Sequence, residues 1–225
     1  MIPEHFYMTD LGKIAYLALY LPLVLGLFWW LYRKFKSAWV VWMTLALVVL
    51  TLPFWDVYMI GRDAERLCKE QGGLHVYKAV EVEGFRGSIE NWEKLGFSYI
   101  ESFWVGPDKK KYRYRMVNGE KVTEEISEFA SRYGIKGKKY EVIGRNFGKN
   151  SIGVADLYTG EFLGELTILN IHPGRFDGFF LKMASSGPVV WHCGDEPPAG
   201  RIDKLTFQDV VIATLKPKQN EGGAQ

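Results

Sequence analysis

The sequence predicts a membrane-anchored α+β protein: an N-terminal transmembrane helical hairpin followed by one sheet-rich, antiparallel soluble domain. Three observations predict it. Ile14–Tyr32 is a run of nineteen residues without a formal charge, and Ala38–Trp55 is a second of eighteen, extended past Asp56 by Val57–Ile60. Only Arg33-Lys34-Phe35-Lys36-Ser37 separates the two runs. Beyond Ile60 come short apolar runs divided by Gly and Asn-Gly turn signals, the pattern of an antiparallel sheet with a few helices.

A bilayer core takes about 20 apolar residues as helix, so helices over about residues 14–32 and 38–60 satisfy the length. A core helix of a soluble domain shows a polar stripe at helical period; these runs carry Leu, Val, Ala, Phe and Trp on every side. Trp29, Trp30 and Tyr32 end the first run, Trp39 and Trp42 begin the second, and Trp55 and Tyr58 mark its far end. Aromatic side chains at run ends fit the headgroup level. A cleaved signal peptide would need a basic start and a small-residue cleavage site. The start MIPEHFYMTDLGK has Glu4 and Asp10 against Lys13, and no small-x-small site follows Trp30, so a retained helix is expected. Pro22 and Pro53 lie inside the runs, which a membrane helix tolerates when neighbours satisfy the freed carbonyls. Asp56 reads as an interfacial residue just past the hydrocarbon, against the alternative of an intramembrane proton relay.

Basic residues near helix ends set orientation. Arg33, Lys34 and Lys36 crowd the short loop, while Lys13, Arg62, Arg66 and Lys69 flank the other ends. The density of charge in the loop favours a cytoplasmic hairpin tip, with the N-terminus and the soluble domain outside. The expected division is a hairpin at 1–61, a soluble domain at 62–215 and a disordered polar tail at 216–225 (KPKQNEGGAQ).

Only four basic and three acidic residues precede Gly61, so the chain's 28 Lys+Arg and 26 Asp+Glu leave the remainder close to neutral. No strong field for nucleic acid follows. The two cysteines, Cys68 and Cys193, both fall in the soluble part. An oxidising compartment permits a disulfide between them; two buried free thiols are the alternative if the domain is cytoplasmic.

Within the soluble part, Arg62–Gln71 should extend the second helix as a stalk that Gly72-Gly73 stops. Leu74–Val82 alternates as a strand. Ser88–Phe103 could open with a helix capped at Ser88 and broken at Gly96. Asn118-Gly119 sits between strand-like runs, the favoured type I′ hairpin turn. Glu124–Arg132 suggests a turn or two of helix. Thr159-Gly160 centres a second hairpin within Tyr140–Ile171. Phe179–Met183, Val189–Trp191 and Leu205–Leu215 are further short apolar stretches.

The sharpest charge cluster is Lys109-Lys110-Lys111-Tyr112-Arg113-Tyr114-Arg115. On a strand, Lys111, Arg113 and Arg115 share one face and the tyrosines the other. Such a pattern can bind phosphates or anionic lipid, or it can be an edge strand protected by charge. Gly144–Ser151 (GRNFGKNS) lacks the spacing of a P-loop and reads as a turn. His5, His75, His172 and His192 show no metal-ligand spacing, so no metal and no cofactor is expected. His192-Cys193 would point to opposite faces of a strand. No catalytic motif is present.

The stretch Trp55–Val80, with Asp56, Leu67-Cys68, Gly72-Gly73 and Val76-Tyr77-Lys78, resembles the junction of a group of small bacterial inner-membrane proteins in which two helices lead into a soluble tail through an LC…GG…VYK motif. The resemblance covers the hairpin and junction. It implies a bacterial inner-membrane location and carries no activity or functional residue.

These features point to a non-catalytic accessory or interaction protein of the bacterial envelope, with the bilayer and another envelope protein as partners and no nucleic acid. The alternative is a membrane-tethered enzyme whose site folding assembles around His192 and Asp195.

Overall fold

The computed structural model describes residues 7–103, 110–184, 189–197 and 203–218. His5 and Lys109 lie outside them, as does most of the expected tail. The chain forms two compact units: Met1–Glu70 with Val142–Gly148 and Leu169–His192, and Gln71–Glu141 with Lys149–Ile168 and Cys193–Gln225.

In the first unit, two long apolar helices stand where the two runs predict them. The first is continuous over Asp10–Lys34 and is built from α1 (Asp10–Ala15), a π-helical segment (Tyr16–Tyr20) and α2 (Leu21–Lys34). The π segment has a local cause. Pro22 has no N–H to give to Ala18 and its ring crowds that carbonyl. The ladder widens just before it, and the Leu21 N–H bonds Tyr16 O, five residues back. After a break at Phe35 and a 3₁₀ turn (Lys36–Ala38), α3 runs over Trp39–Gln71. Its 33 residues make a helix of about 50 Å. The stalk predicted at Arg62–Gln71 is therefore its last turns, stopped by Gly72-Gly73. The two helices meet along a seam of Val24, Phe28 and Ala46, with Tyr20, Leu31, Trp42, Val49 and Leu50 against it. The same unit carries α4 (Arg175–Met183).

The mostly antiparallel sheet falls largely in the second unit. Its strands are β1 (Gly73–Val76), β3 (Gly84–Arg86), β4 (Tyr99–Phe103), β5 (Lys111–Val117), β6 (Glu120–Ile126), β7 (Tyr133–Gly137), β9 (Phe147–Asp156) and β10 (Phe162–Ile171), in the order β1-β10-β9-β7-β3-β4-β5-β6. Two more join at the side, β8 (Glu141–Gly144) on β9 and β11 (Trp191–Cys193) on β10. Parallel pairing is found where β3 meets β4 and β7, and in a separate pair, β2 (Val80–Val82) with β12 (Leu215–Pro217). The core holds Phe85, Trp92, Ile100, Val154, Leu166 and Val211. Helix α5 (Phe207–Thr214) supplies Val210 and Val211 to it and starts at a capping box of Thr206 and Asp209.

The Asn118-Gly119 hairpin is present. Val117 pairs with Glu120 across a two-residue loop, and both turn residues have positive φ, 52° and 81°, as a type I′ turn demands. The turn at Thr159-Gly160 joins β9 to β10, closed by Gly160 N–H on Asp156 O. The turn read over GRNFGKNS is confined to Arg145-Asn146, between β8 and β9; Phe147–Ser151 belong to strand β9, paired in the sheet.

Four expectations are corrected. Leu74–Val82 is not one strand: Tyr77 and Lys78 turn their N–H groups to Leu163 O and split it into β1 and β2. Ser88 caps no helix; a short 3₁₀ turn, Trp92–Leu95, follows Asn91 and ends at Gly96 with φ 89°. Glu124–Arg132 is not helical, because Glu124, Glu125 and Ile126 complete the pairing of β6 with β5. Lys216 and Pro217, assigned to a disordered tail, are held in β12 by pairing with Glu81 and Val82.

Candidate functional site

Among the described residues of the first unit, a set of long-range polar contacts lies where the hairpin meets α4. It starts from the two prolines. Pro53 deprives the Val49 carbonyl of its helical donor, and the Tyr20 hydroxyl supplies a replacement at 2.6 Å. One turn away, the Tyr16 hydroxyl donates to Leu50 O at 3.1 Å. Tyr16 also packs edge-on against Phe54, 4.5 Å between ring centres. The π segment made by one proline thus carries both phenols that satisfy the carbonyls loosened by the other.

Two carboxylates then tie α4 into this arrangement. Gly174, the N-cap of α4, has no side chain to cap it, and Asp56 accepts the Arg175 N–H at 2.6 Å instead. An acid at a helix N-terminus is favoured by both the orphan N–H groups and the macrodipole. In return, Asp177 in the first turn of α4 accepts the Thr9 N–H at 2.7 Å and the Thr9 hydroxyl, where Thr9 is the N-cap of α1. Asp177 is 1% exposed. Both approaches are close: a Cβ on Gly12 would push on the Asp177 carboxylate and one on Gly174 on that of Asp56, so either carboxylate would have to move. Phe176 fills the angle, 5.3 Å from the Tyr20 ring centre and 6.3 Å from that of Tyr16. Asp56 is therefore the cap of a helix, which gives it a structural task. Asp56→Ala is expected to destabilise α4 by about 1 kcal/mol, the usual worth of an N-cap. Faster hydrogen exchange at the Arg175 and Gly178 amides, with the sheet amides unchanged, is the measurement that checks it.

Beside this lock is a hollow of about 270 Å³ lined by Asp56, Asp63, Arg66, Arg145 and Asn146 among others. Its charges are mixed. Asp63 lies 3.6 Å from Arg62 and 3.5 Å from Arg66, and the Asn146 amide donates to the carbonyls of His172 and Pro173.

Two of the second unit's buried acids, Glu101 and Glu165, gather several donors each; Asp156, also buried, pairs with Arg132 at 2.7 Å. Glu101 on β4 is fully buried and faces Arg113 on β5 in the strand register. It accepts from Arg113 Nη2 at 2.7 Å and Nε at 3.1 Å, and from the N–H groups of Ser131 and Ala130 at 2.8 and 3.2 Å. Burial pushes this carboxyl up, but the Ser131 hydroxyl beside it, the Arg113 guanidinium and the two N–H groups together hold it below its ordinary value. Glu165 on β10 takes the Tyr77 hydroxyl at 2.8 Å and the Lys138 ammonium, and the same contest between burial and donors leaves it lowered too. Neither acid is foreshadowed by a motif. Glu165 does interrupt an apolar alternation (FLGELTI), as Asp177 interrupts RFDGFF, and a charge inside such a run is the one available signal that it needs a partner.

The sequence-derived candidates fall as follows. Cys68 and Cys193 are joined in a disulfide. Arg33 and Lys34 occupy the last turn of α2, with Arg33 4.2 Å over the Trp29 ring and Lys34 5.2 Å from that of Trp30; Lys36 opens the 3₁₀ turn. In the basic cluster, Lys110 pairs with Glu125, Lys111 donates to Ser127 O, Arg113 holds Glu101 and Arg115 lies 3.7 Å from Glu124. Tyr114 packs against the core from the other face. The strand is not an edge: β4 and β6 flank it. His192 Nδ1 bonds Asn170 Oδ1 at 2.8 Å, while Asp195 pairs with Lys204 at 2.7 Å. Among the described residues, no group of three or more His, Cys, Asp or Glu gathers as a metal site.

No protein family, curated protein or solved structure matches this chain.

Proposed function

We propose that this chain is a two-pass protein of the bacterial inner membrane, with the Arg33–Ser37 loop in the cytoplasm and the sheet unit in the periplasm. There it acts as a non-catalytic accessory or interaction module for another envelope protein. The observation that carries the membrane reading is the exposure of the hairpin. Leu17, Leu23, Val41 and Leu47 are 62%, 71%, 62% and 64% exposed, whereas the core helix of a soluble protein buries such side chains. Both helices are long and apolar enough to span a bilayer. An apolar groove of about 590 Å³ between them, lined by Leu25, Trp29, Trp42 and Leu50, is suited to acyl chains rather than water.

Orientation is supported by two unrelated features. One is the basic loop. The other is the disulfide, which belongs in an oxidising compartment. The junction resemblance agrees with an inner-membrane setting. A non-catalytic role is supported by the way the buried acids and the basic cluster are bonded within the protein, where a reaction centre would leave groups aimed at a substrate.

Carbonate washing is expected to leave the chain in the membrane pellet, and detergent to release it; full recovery in the carbonate supernatant would remove the anchor. An alkaline phosphatase fused after Gln225 should be active and a fluorescent protein fused there dark. Changing Arg33, Lys34 and Lys36 together to Ala should erode that asymmetry. Purification in mild detergent should retain an envelope partner, and a monomer with no companion at any detergent mildness would argue against the accessory role.

A further inference from the structure

We infer that α4 is a third membrane-contacting element, an amphipathic helix lying in the outer headgroup–acyl boundary with Phe179 and Met183 inserted among the lipids. This rests on the membrane reading of the hairpin. Its own basis is the depth at which α4 is fixed and the composition of its free face.

The depth follows from contacts within one unit. Thr9, at the start of the first helix, is bonded to Asp177, so the first turn of α4 begins level with the end of the hairpin. Phe176, one residue earlier, packs on Tyr20. Tyr20 is six residues beyond Ile14, where the apolar run starts, and six residues of helix span about 9 Å. The opposite helix agrees, since Asp56 caps α4 and Tyr20 bonds the carbonyl of Val49, well inside the second apolar run. The first turn of α4, held between these levels, lies at the bilayer surface. Interfacial helices sit about 5–10 Å into that boundary.

The free face fits the same place. Arg175, Phe179, Lys182 and Met183 are exposed, and their spacing of four, three and one puts them on one side of a helix. Phe179 is 59% and Met183 67% exposed. The inward side is occupied by Asp177 and Leu181, both buried. Two apolar side chains flanked by two cations is the arrangement in which the apolar groups enter the acyl region while Arg and Lys reach phosphates. Trp55, 65% exposed on α3 one residue before Asp56, is a further exposed aromatic side chain. A bilayer is the occupant that covers the hairpin, Trp55 and the α4 face together.

The test uses the full chain in nanodiscs of phosphatidylcholine and phosphatidylglycerol. Because the native cysteines are bonded to each other, one introduced cysteine can take a nitroxide without reduction. Labels are placed singly through Phe179→Cys and Met183→Cys, with Leu47→Cys on the hairpin as a lipid reference and Tyr158→Cys in a sheet-unit turn as a water reference. Resistance of Cys68 and Cys193 to alkylation shows that each variant has folded. Collision rates with oxygen and with a polar nickel chelate are then compared. At 179 and 183 the oxygen-to-nickel ratio should be severalfold above that at 158 and below that at 47. A water-like ratio at 179 and 183 with a lipid-like ratio at 47 would overturn the placement of α4 and leave the anchor standing. A water-like ratio at 47 as well would remove the anchor itself. Shielding of 179 and 183 from both reagents would mean that protein, not lipid, covers the face, which also overturns the inference.

Discussion

Arg113→Leu should cost the sheet unit about 3–5 kcal/mol, the usual penalty for removing one partner of a buried ion pair. The guanidinium is partly exposed but Glu101 is not, so the variant strands a carboxylate with only two N–H groups and a hydroxyl. The acid limb should move as well. In the native protein Glu101 titrates below its ordinary value of 4.5. The stability it contributes is fully present above the unfolded-state value and is lost as pH falls through the lower folded-state value. Without Arg113 the burial contribution prevails and the folded-state value rises, so unfolding should begin at higher pH. Adding Glu101→Gln to Arg113→Leu should restore part of the loss, because it removes the unpaired charge while keeping an acceptor. Chemical denaturation of the full chain in detergent, followed by pulse proteolysis across pH, measures all three. Equal stability of Arg113→Leu and wild type at neutral pH would mean that the pair is energetically idle.

Cys193→Ser should cost about 2–4 kcal/mol, toward the upper end for so long a closed loop in the chain-entropy account. The same loss is expected on adding reductant to the wild-type chain, and none on adding it to the variant. That contrast separates the bond from the packing of the Cys193 side chain, which is 5% exposed. Alkylation of the wild type without prior reduction should modify neither thiol, and modification of both would contradict the pairing.

What was legible in the sequence was whatever depends on neighbours along the chain. The hairpin reads from uninterrupted apolar length, the β5–β6 and β9–β10 turns from Asn118-Gly119 and Thr159-Gly160, and the end of α3 from Gly72-Gly73. The misread pieces were those where a distant partner outvotes local preference. Glu124–Ile126 has helix-forming glutamates, yet Arg113 and Tyr112 opposite make it a strand. Phe179–Met183 looks like any short apolar run until Asp56, far away in sequence, caps its helix. The basic cluster shows the same limit for function. Its composition suggests a ligand, but Glu101, Glu124 and Glu125 occupy its charges, and only Glu124 and Glu125 are visible as a paired acidic run. The disulfide lay between, because two cysteines allow one pairing while the choice of compartment came from the hairpin.

On the membrane reading proposed above, the paired tyrosines bear on how the hairpin enters a bilayer. In hydrocarbon an unmet polar group costs several kcal/mol. A first helix crossing alone would carry the Tyr16 and Tyr20 hydroxyls without acceptors. A second crossing alone would carry the Val49 carbonyl that Pro53 leaves bare. Each half supplies what the other lacks, so partitioning favours joint entry of both halves over one-at-a-time insertion. The shortness of the Arg33–Ser37 loop is compatible with that concerted route.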